Sequence, residues 1–193
     1  MGSAKSPEMT RQLILDTALQ MFVERGYFAT SVHDIRKHAG LSVGAIYHHF
    51  GTKEALARAL YEDLVARMDG LIEAALRPHQ SARERCRAIA LTLCETAQES
   101  PELLHFILHA RHREFLPEAL PICSTRPFET MKQVVSEGIQ AGEIRPMDPV
   151  AAAAVAFGSV IRLVHLALDG VLAEPPTAYF DAIWEATWRG LSV

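Results

Sequence analysis

The sequence predicts an all-α protein of about nine helices, the first three of them forming a helix-turn-helix module. Three observations carry that expectation. Apolar residues recur at helical spacing, with start and stop signals, along the whole chain. No stretch alternates apolar and polar residues as a half-buried strand would, and no internal repeat or low-complexity tract interrupts the pattern. The 193 residues are 49% hydrophobic, 22% charged and only 7% aromatic, the balance of a globular chain rich in Ala and Leu.

The elements follow in order. Ile14, Ala18, Met21 and Phe22 share one face of a helix from about Met9 to Arg25, and Gly26 offers a left-handed stop. Ser31 is placed to cap a short second helix, Val32 to about Ala39, with Asp34 completing a capping box and Gly40 ending it. Ser42 caps a third helix, Val43 to about Phe50. Two short helices around a glycine turn make a helix-turn-helix. Thr52 then caps a long fourth helix that runs to Pro78 and connects two modules. Beyond it, Ser100 with Pro101, Asp148 with Pro149, and Thr177 after two prolines mark further starts. Helices are expected near 82–98, 101–115, 125–141, 149–172 and 178–190, with Gly142 closing the third of these.

Composition narrows the function classes. Cys86, Cys94 and Cys123 are few, odd in number and without metal-type spacing, which argues against a disulfide framework or a thiolate zinc site and fits a cytoplasmic setting. The start, MGSAKS, has no apolar core for a secretory signal, though Gly2 with Ser6 matches the myristoylation pattern, as a start or cloning remnant also would. The longest apolar run, Val150 to Leu168, contains Arg162 and His165 and reads as a central buried helix rather than a membrane span. A helix apolar nearly all round needs cover beyond its own domain, so it and the helix carrying Trp184 and Trp188 are expected to build a homodimer interface. There is no Gly-rich phosphate loop, nucleophile elbow or HExxH pair, so no enzyme activity and no cofactor are expected. Residues 1–60 carry a net charge of +2 and residues 61–193 a net charge of -6, a mildly basic module on an acidic body.

The stretch GLSVGAIYHHFGTKEAL, residues 40 to 56, holds the most specific chemistry. A helix that enters the major groove needs a slim first turn, and Ser42, Val43, Gly44 and Ala45 supply one. Glycine inside a helix costs about 1 kcal/mol relative to alanine, so Gly44 is either merely tolerated or marks a close approach to the backbone. Tyr47 and His48 can each hydrogen-bond a phosphate, or else close the module's core, while Ile46 and Phe50 are structural. Lys53 lies in the first turn of the fourth helix, where a cation is disfavoured unless an anion is bound beside it, and Ser31 offers a similar hydroxyl at the second helix. A solvated lysine and a plain cap are the alternatives.

Taken together, ILDTALQMFVERGYFATSVHDIRKHAGLSVGAIYHHFGTKEAL resembles the DNA-binding domain of the tetracycline-repressor-like (TetR/AcrR) family of bacterial transcriptional regulators. The pattern joins an AL..F...G first helix, TSV.DI, the AG.S turn, G.IYHHF and KEAL in order. The resemblance implies a helix-turn-helix DNA-binding domain at 8–55, and a ligand-binding and dimerisation domain at 56–193. It further implies a homodimer reading a palindromic double-stranded operator and responding to a small-molecule effector. Ser31, Tyr47, His48 and Lys53 would then hold phosphates, and His33, Gly44 and Ala45 would face bases. Arg36 stands where the family usually has a small alanine, so it either turns outward toward DNA or alters the packing of the third helix.

For the effector, Leu104, Phe106, Leu108, Phe115, Phe128, Met131, Phe157 and Ile161 suit a mainly apolar cavity. His105, His109, Arg113 and His165 are the candidates for orienting hydrogen bonds. An apolar or aromatic molecule is expected to release the protein from DNA as a repressor. One alternative is a metal-responsive regulator using His105, His109 and His112, spaced by four and three along one helix face. The other is a DNA-binding protein that needs no effector.

Overall fold

The computed structural model describes residues 6–109, 112–119 and 122–193, without the side chains of His112, Arg113 and Cys123. Gly2, half of the myristoylation pattern, lies outside the described residues. The described secondary structure is helical, with one isolated bridge between Ile144 and Ser192. The chain divides into two units, Met1–Leu64 with His105–Ala119, and Val65–Leu104 with Leu120–Val193.

In the first unit, α1 (Pro7–Arg25) is capped by Ser6 and buries Ile14, Leu15, Ala18, Leu19, Met21 and Phe22. Gly26 follows with φ 83° and ψ 157°, so the helix ends in an extended positive-φ turn rather than the expected left-handed one. Ser31 caps α2 (Val32–Ala39) through the expected capping box with Asp34, and Gly40, at φ 66° and ψ 32°, ends it in the left-handed region. After α3 (Val43–Phe50), the Thr52 hydroxyl accepts the Ala55 amide at 3.0 Å at the head of α4 (Lys53–Leu76). Ile35, Ile46, Leu56, Leu60 and Leu64 close the core of this unit with α1.

The second unit is a bundle of α5 (Ala82–Glu99), α8 (Arg126–Gln140), α9 (Pro149–Leu168) and α10 (Pro176–Leu191), with the Val65–Leu76 part of α4. Within it, α9 packs against α5, α8 and α10. Both tryptophans, expected to help form a dimer interface, are instead core: Trp184 is fully buried and stacks on Phe180 and Trp188 at centroid distances of 6.4 and 5.7 Å. Their i, i+4 spacing puts them on the face of α10 that meets α5 and α9, not the opposite one. The helix expected over 101–115 is described as two pieces, α6 (Pro101–His109) and α7 (His112–Phe115). The one expected to reach 172 stops at Leu168, because Gly170 turns the chain at φ 68°.

Candidate nucleic-acid interface and aromatic cavity

Two N-caps shape the surface on which α3 begins. The Ser31 hydroxyl accepts the Asp34 amide at 3.1 Å and donates to Asp34 Oδ2, which also accepts the Ser31 amide at 3.0 Å. The Ser31 hydroxyl bond, followed by the amide bond, holds the Asp34 carboxyl below the usual carboxylate range. Ser42 accepts the Ala45 amide at 3.2 Å, which leaves Ser42, Val43 and Gly44 exposed at the tip of α3 and Ala45 half-buried. A Cβ at Gly44 would meet only the Ser42 Oγ, 3.8 Å away, so packing within the chain does not require this glycine.

Of the expected DNA-facing groups, His33, Tyr47 and His48 are exposed, Tyr47 at 51%. Tyr47 therefore does not close the module's core; Ile46 and the half-buried Phe50 do that. Arg36 lies half-buried along α2, its Nε donating to His33 Nδ1 at 3.4 Å, while Ile35 fills the core beside it.

Lys53 is half-buried. Its ammonium rests 4.0 Å from the centre of the Tyr27 ring. The Tyr27 hydroxyl in turn donates to Glu54 Oε1 at 3.2 Å. Burial first, then the Glu54 charge and this bond, push the Tyr27 phenol up to about 12, and burial lowers the Lys53 ammonium. Sequence reasoning missed Tyr27 and Glu54. The signal available was the pair Gly26 and Tyr27 directly after α1, where a residue that leaves a helix is free to fold back on the module.

In the same unit, a cavity of about 270 Å³ opens between the end of α1 and α6 with α7. Its walls are Phe22, Val23, Tyr27, Phe106 and Phe115, with Phe28, 69% exposed, at the rim. His105, His109 and Glu114 supply its polar side-chain groups. Phe115 stacks on Tyr27 at 4.3 Å with the rings 13° from parallel, so Tyr27 touches both Phe115 and Lys53.

The structure thus gathers His105, Phe106, His109 and Phe115 of the expected effector set, while Leu108 is half-buried nearby in sequence and the Arg113 side chain lies outside the described ones. The others fall in the second unit. Leu104, Met131 and Phe157 are buried core, Phe128 and Ile161 are half-buried, and His165 Nδ1 hydrogen-bonds the Ile161 carbonyl at 2.7 Å. A different hollow in that unit, about 410 Å³ between α4 and α5, is lined by Arg67, Leu71, Thr92, Glu95, Glu99 and neighbours, none of them in the expected set. His105 and His109 stand with ring centroids 4.8 Å apart, but among the described residues no group of three His, Cys, Asp or Glu is arranged to hold a metal ion. The His112 side chain lies outside those described.

A capped helix-turn-helix with a bare, slim first turn, in a chain that also holds a second helical unit, defines a DNA-binding transcriptional regulator. Residues 14–60 match the family described as bacterial regulatory proteins, tetR family, and residues 61–193 match the tetracyclin repressor-like C-terminal domain, so the chain belongs to the tetracycline-repressor family. It is 28% identical over 144 residues to the HTH-type transcriptional repressor KstR2 of Mycolicibacterium smegmatis, covering 72% of this chain and 70% of that protein. Over 78 residues it is 40% identical to the HTH-type transcriptional repressor AcnR of Corynebacterium efficiens, which is 37% of this chain and 42% of AcnR. The fold superimposes on the transcriptional regulator FadR of Bacillus subtilis in complex with stearoyl-CoA with a TM-score of 0.75, at 21% identity over 93% of this chain and 98% of that one.

Proposed function

We propose that this protein is a cytoplasmic homodimeric repressor that binds a palindromic operator and is released from it by a small, mainly apolar molecule. The observation that carries this reading is the exposed tip of α3, where Gly44 has no internal reason to be glycine. Residues 8–55 form the DNA-reading domain. In it, Gly44, Ala45 and His33 face bases, Tyr47, His48 and Lys53 meet phosphates, and Ser31, Ser42 and Arg36 border the contact. Ser31 uses its hydroxyl in the capping box, so its part is to fix the amides that start α2.

Residues 56–193 hold the effector and the dimer contact. For the dimer, α9 turns a small apolar face outward, with Val150 and Val155 55% and 45% exposed beside Ala151, Ala154 and Gly158. For the effector, the stearoyl-CoA in the FadR complex is a precedent within the fold for a ligand with a long apolar part, and repression is in the names of KstR2 and AcnR. Coupling requires the ligand to prefer the arrangement that cannot bind DNA, by a typical 1 to 3 kcal/mol, that is about 5- to 150-fold in affinity.

The test is selection of duplexes from a random-sequence library by the purified protein, followed by anisotropy across a salt series. An enriched palindrome, bound more weakly by Tyr47→Ala and with a shallower salt slope in Lys53→Ala, is the expected result. Failure to enrich any duplex overturns the reading.

A further inference from the structure

Arg36 stands at the crook of the helix-turn-helix. Its carbonyl accepts the Leu41 amide at 3.0 Å, so the turn that leads into the Ser42 cap of α3 is tied to its backbone. Its side chain runs the other way. Side chains on a helix lean toward the N-terminus, and the Arg36 guanidinium reaches one turn back to His33, which is exposed. There its Nε donates to His33 Nδ1 at 3.4 Å, and a terminal nitrogen stands 3.3 Å from His33 Nε2.

The charge of Arg36 is left for something else. The nearest carboxylate in sequence, Asp34, is taken up by the Ser31 hydroxyl and amide. Among the described residues no carboxylate pairs with Arg36, and His33 is the partner of its hydrogen bonds. A neutral imidazole accepts at one nitrogen only, while a guanidinium carries five N–H donors in a planar fork. Most of that fork is therefore open. Its stem is half-buried, so fewer side-chain rotamers remain to be lost when the fork is used. A planar fork at the mouth of a major-groove reader matches one base edge above the others: guanine, which offers O6 and N7 as adjacent acceptors.

We propose that Arg36 reads a guanine in each half-site, donating to O6 and N7 in the major groove, and that His33 holds the guanidinium in position to do so. The inference rests on the function proposed above and goes further in giving Arg36 a base instead of a place at the border of the contact.

The experiment uses the full chain and the duplex that the wild type selects. Each guanine of one half-site is replaced in turn by 7-deazaguanine, which lacks the N7 acceptor, and binding is followed by anisotropy. One position should weaken wild-type binding about tenfold. R36M and R36Q, which keep the stem and lose the fork, should bind the normal and the 7-deaza duplex at that position equally, with an unchanged melting temperature. H33A should narrow the wild-type ratio to about threefold or less. A selected duplex with no guanine sensitive at N7, or a sensitive guanine whose effect persists in R36M and R36Q, overturns the base contact. An unchanged ratio in H33A overturns the positioning role. Failure to enrich any duplex strikes the proposed function instead, so the two failures are distinct.

Discussion

Lys53 and Tyr27 are 26 positions apart in sequence, yet the Lys53 ammonium stands 4.0 Å from the centre of the Tyr27 ring, and the Tyr27 hydroxyl reaches the neighbouring Glu54. The contact ties the turn after α1 to the first turn of α4. Tyr27→Phe keeps the ring and removes one hydrogen bond to a carboxylate, so it should cost about 1 kcal/mol, while Tyr27→Ala removes a buried ring and should cost about 3 kcal/mol or more. Urea denaturation of both variants checks the order; a Phe variant as unstable as the Ala variant would place the stabilisation in the hydroxyl rather than the ring.

Gly44→Ala separates folding from DNA binding. A Cβ there meets only the Ser42 Oγ at 3.8 Å, and alanine is the better helix former. The free protein should gain about 0.5 to 1 kcal/mol. If the tip of α3 enters a groove, affinity for the selected duplex should fall about tenfold or more, because the added methyl occupies the closest approach. Melting curves and anisotropy on the same sample measure both. A variant that is more stable and binds equally well removes Gly44 from the interface.

The helix-turn-helix was legible because every signal for it is local. Ser31 with Asp34, Gly40, Ser42 and Thr52 each act within three or four residues, and all occupy the capping or turn positions their chemistry demands. What was not legible depends on pairing at long range. Periodicity could not say that His105, His109 and Phe115 share a unit with the turn after α1, nor that Leu104, one residue earlier, is core of the other unit. Likewise an apolar face gives the buried side of Trp184 and Trp188 no direction until their neighbours are known. Lys53 was marked by its unfavourable place at a helix N-terminus, but the ring that holds it lies 26 positions away, beyond any spacing rule.

Gly138 is a glycine that packing does require. It is buried in α8, and a Cβ would come within 2.6 Å of the Ala82 Cβ and 2.9 Å of Ile144 Cδ1. The isoleucine tip can shift; the alanine at the start of α5 cannot without moving the helix. Gly138→Ala should therefore destabilise by about 1 to 3 kcal/mol, despite alanine's better helix propensity. The double variant with Ile144→Val should recover little, since the tighter clash is with Ala82. Full recovery in thermal denaturation would show that Ile144 was the obstacle.

Val155 tests the dimer. It is 45% exposed on the outward face of α9, so a change there should leave the fold of one chain intact. Val155→Asp would bury a charge in an apolar contact between copies, at a cost of several kcal/mol per dimer. Sedimentation at micromolar concentration should show a dimer for the wild type and a monomer of unchanged helix content for the variant. A wild-type monomer, or a variant that still dimerises, excludes this face.

The thiols of Cys86 and Cys94 give a pH dependence whose sign can be worked out. Both are buried on α5. Burial pushes Cys86 up to about 12, with the Glu143 charge adding to it and the Arg85 charge opposing it, and burial with the Glu95 charge pushes Cys94 up to about 11. Unfolded thiols ionise near 9, so below that pH both states are neutral and the full stability is present. As pH rises from about 9 through 11 and toward 12, the unfolded chain sheds its protons first, and folded stability declines. Only the thiolate reacts with iodoacetamide. In the native protein at pH 8.5, peptides containing Cys86 and Cys94 should stay unlabelled for many times the period that labels them in urea, with Cys123 read separately. Replacing both by Val should flatten the fall of melting temperature between pH 9 and 11, and an undiminished slope in that variant would assign the alkaline loss to other groups.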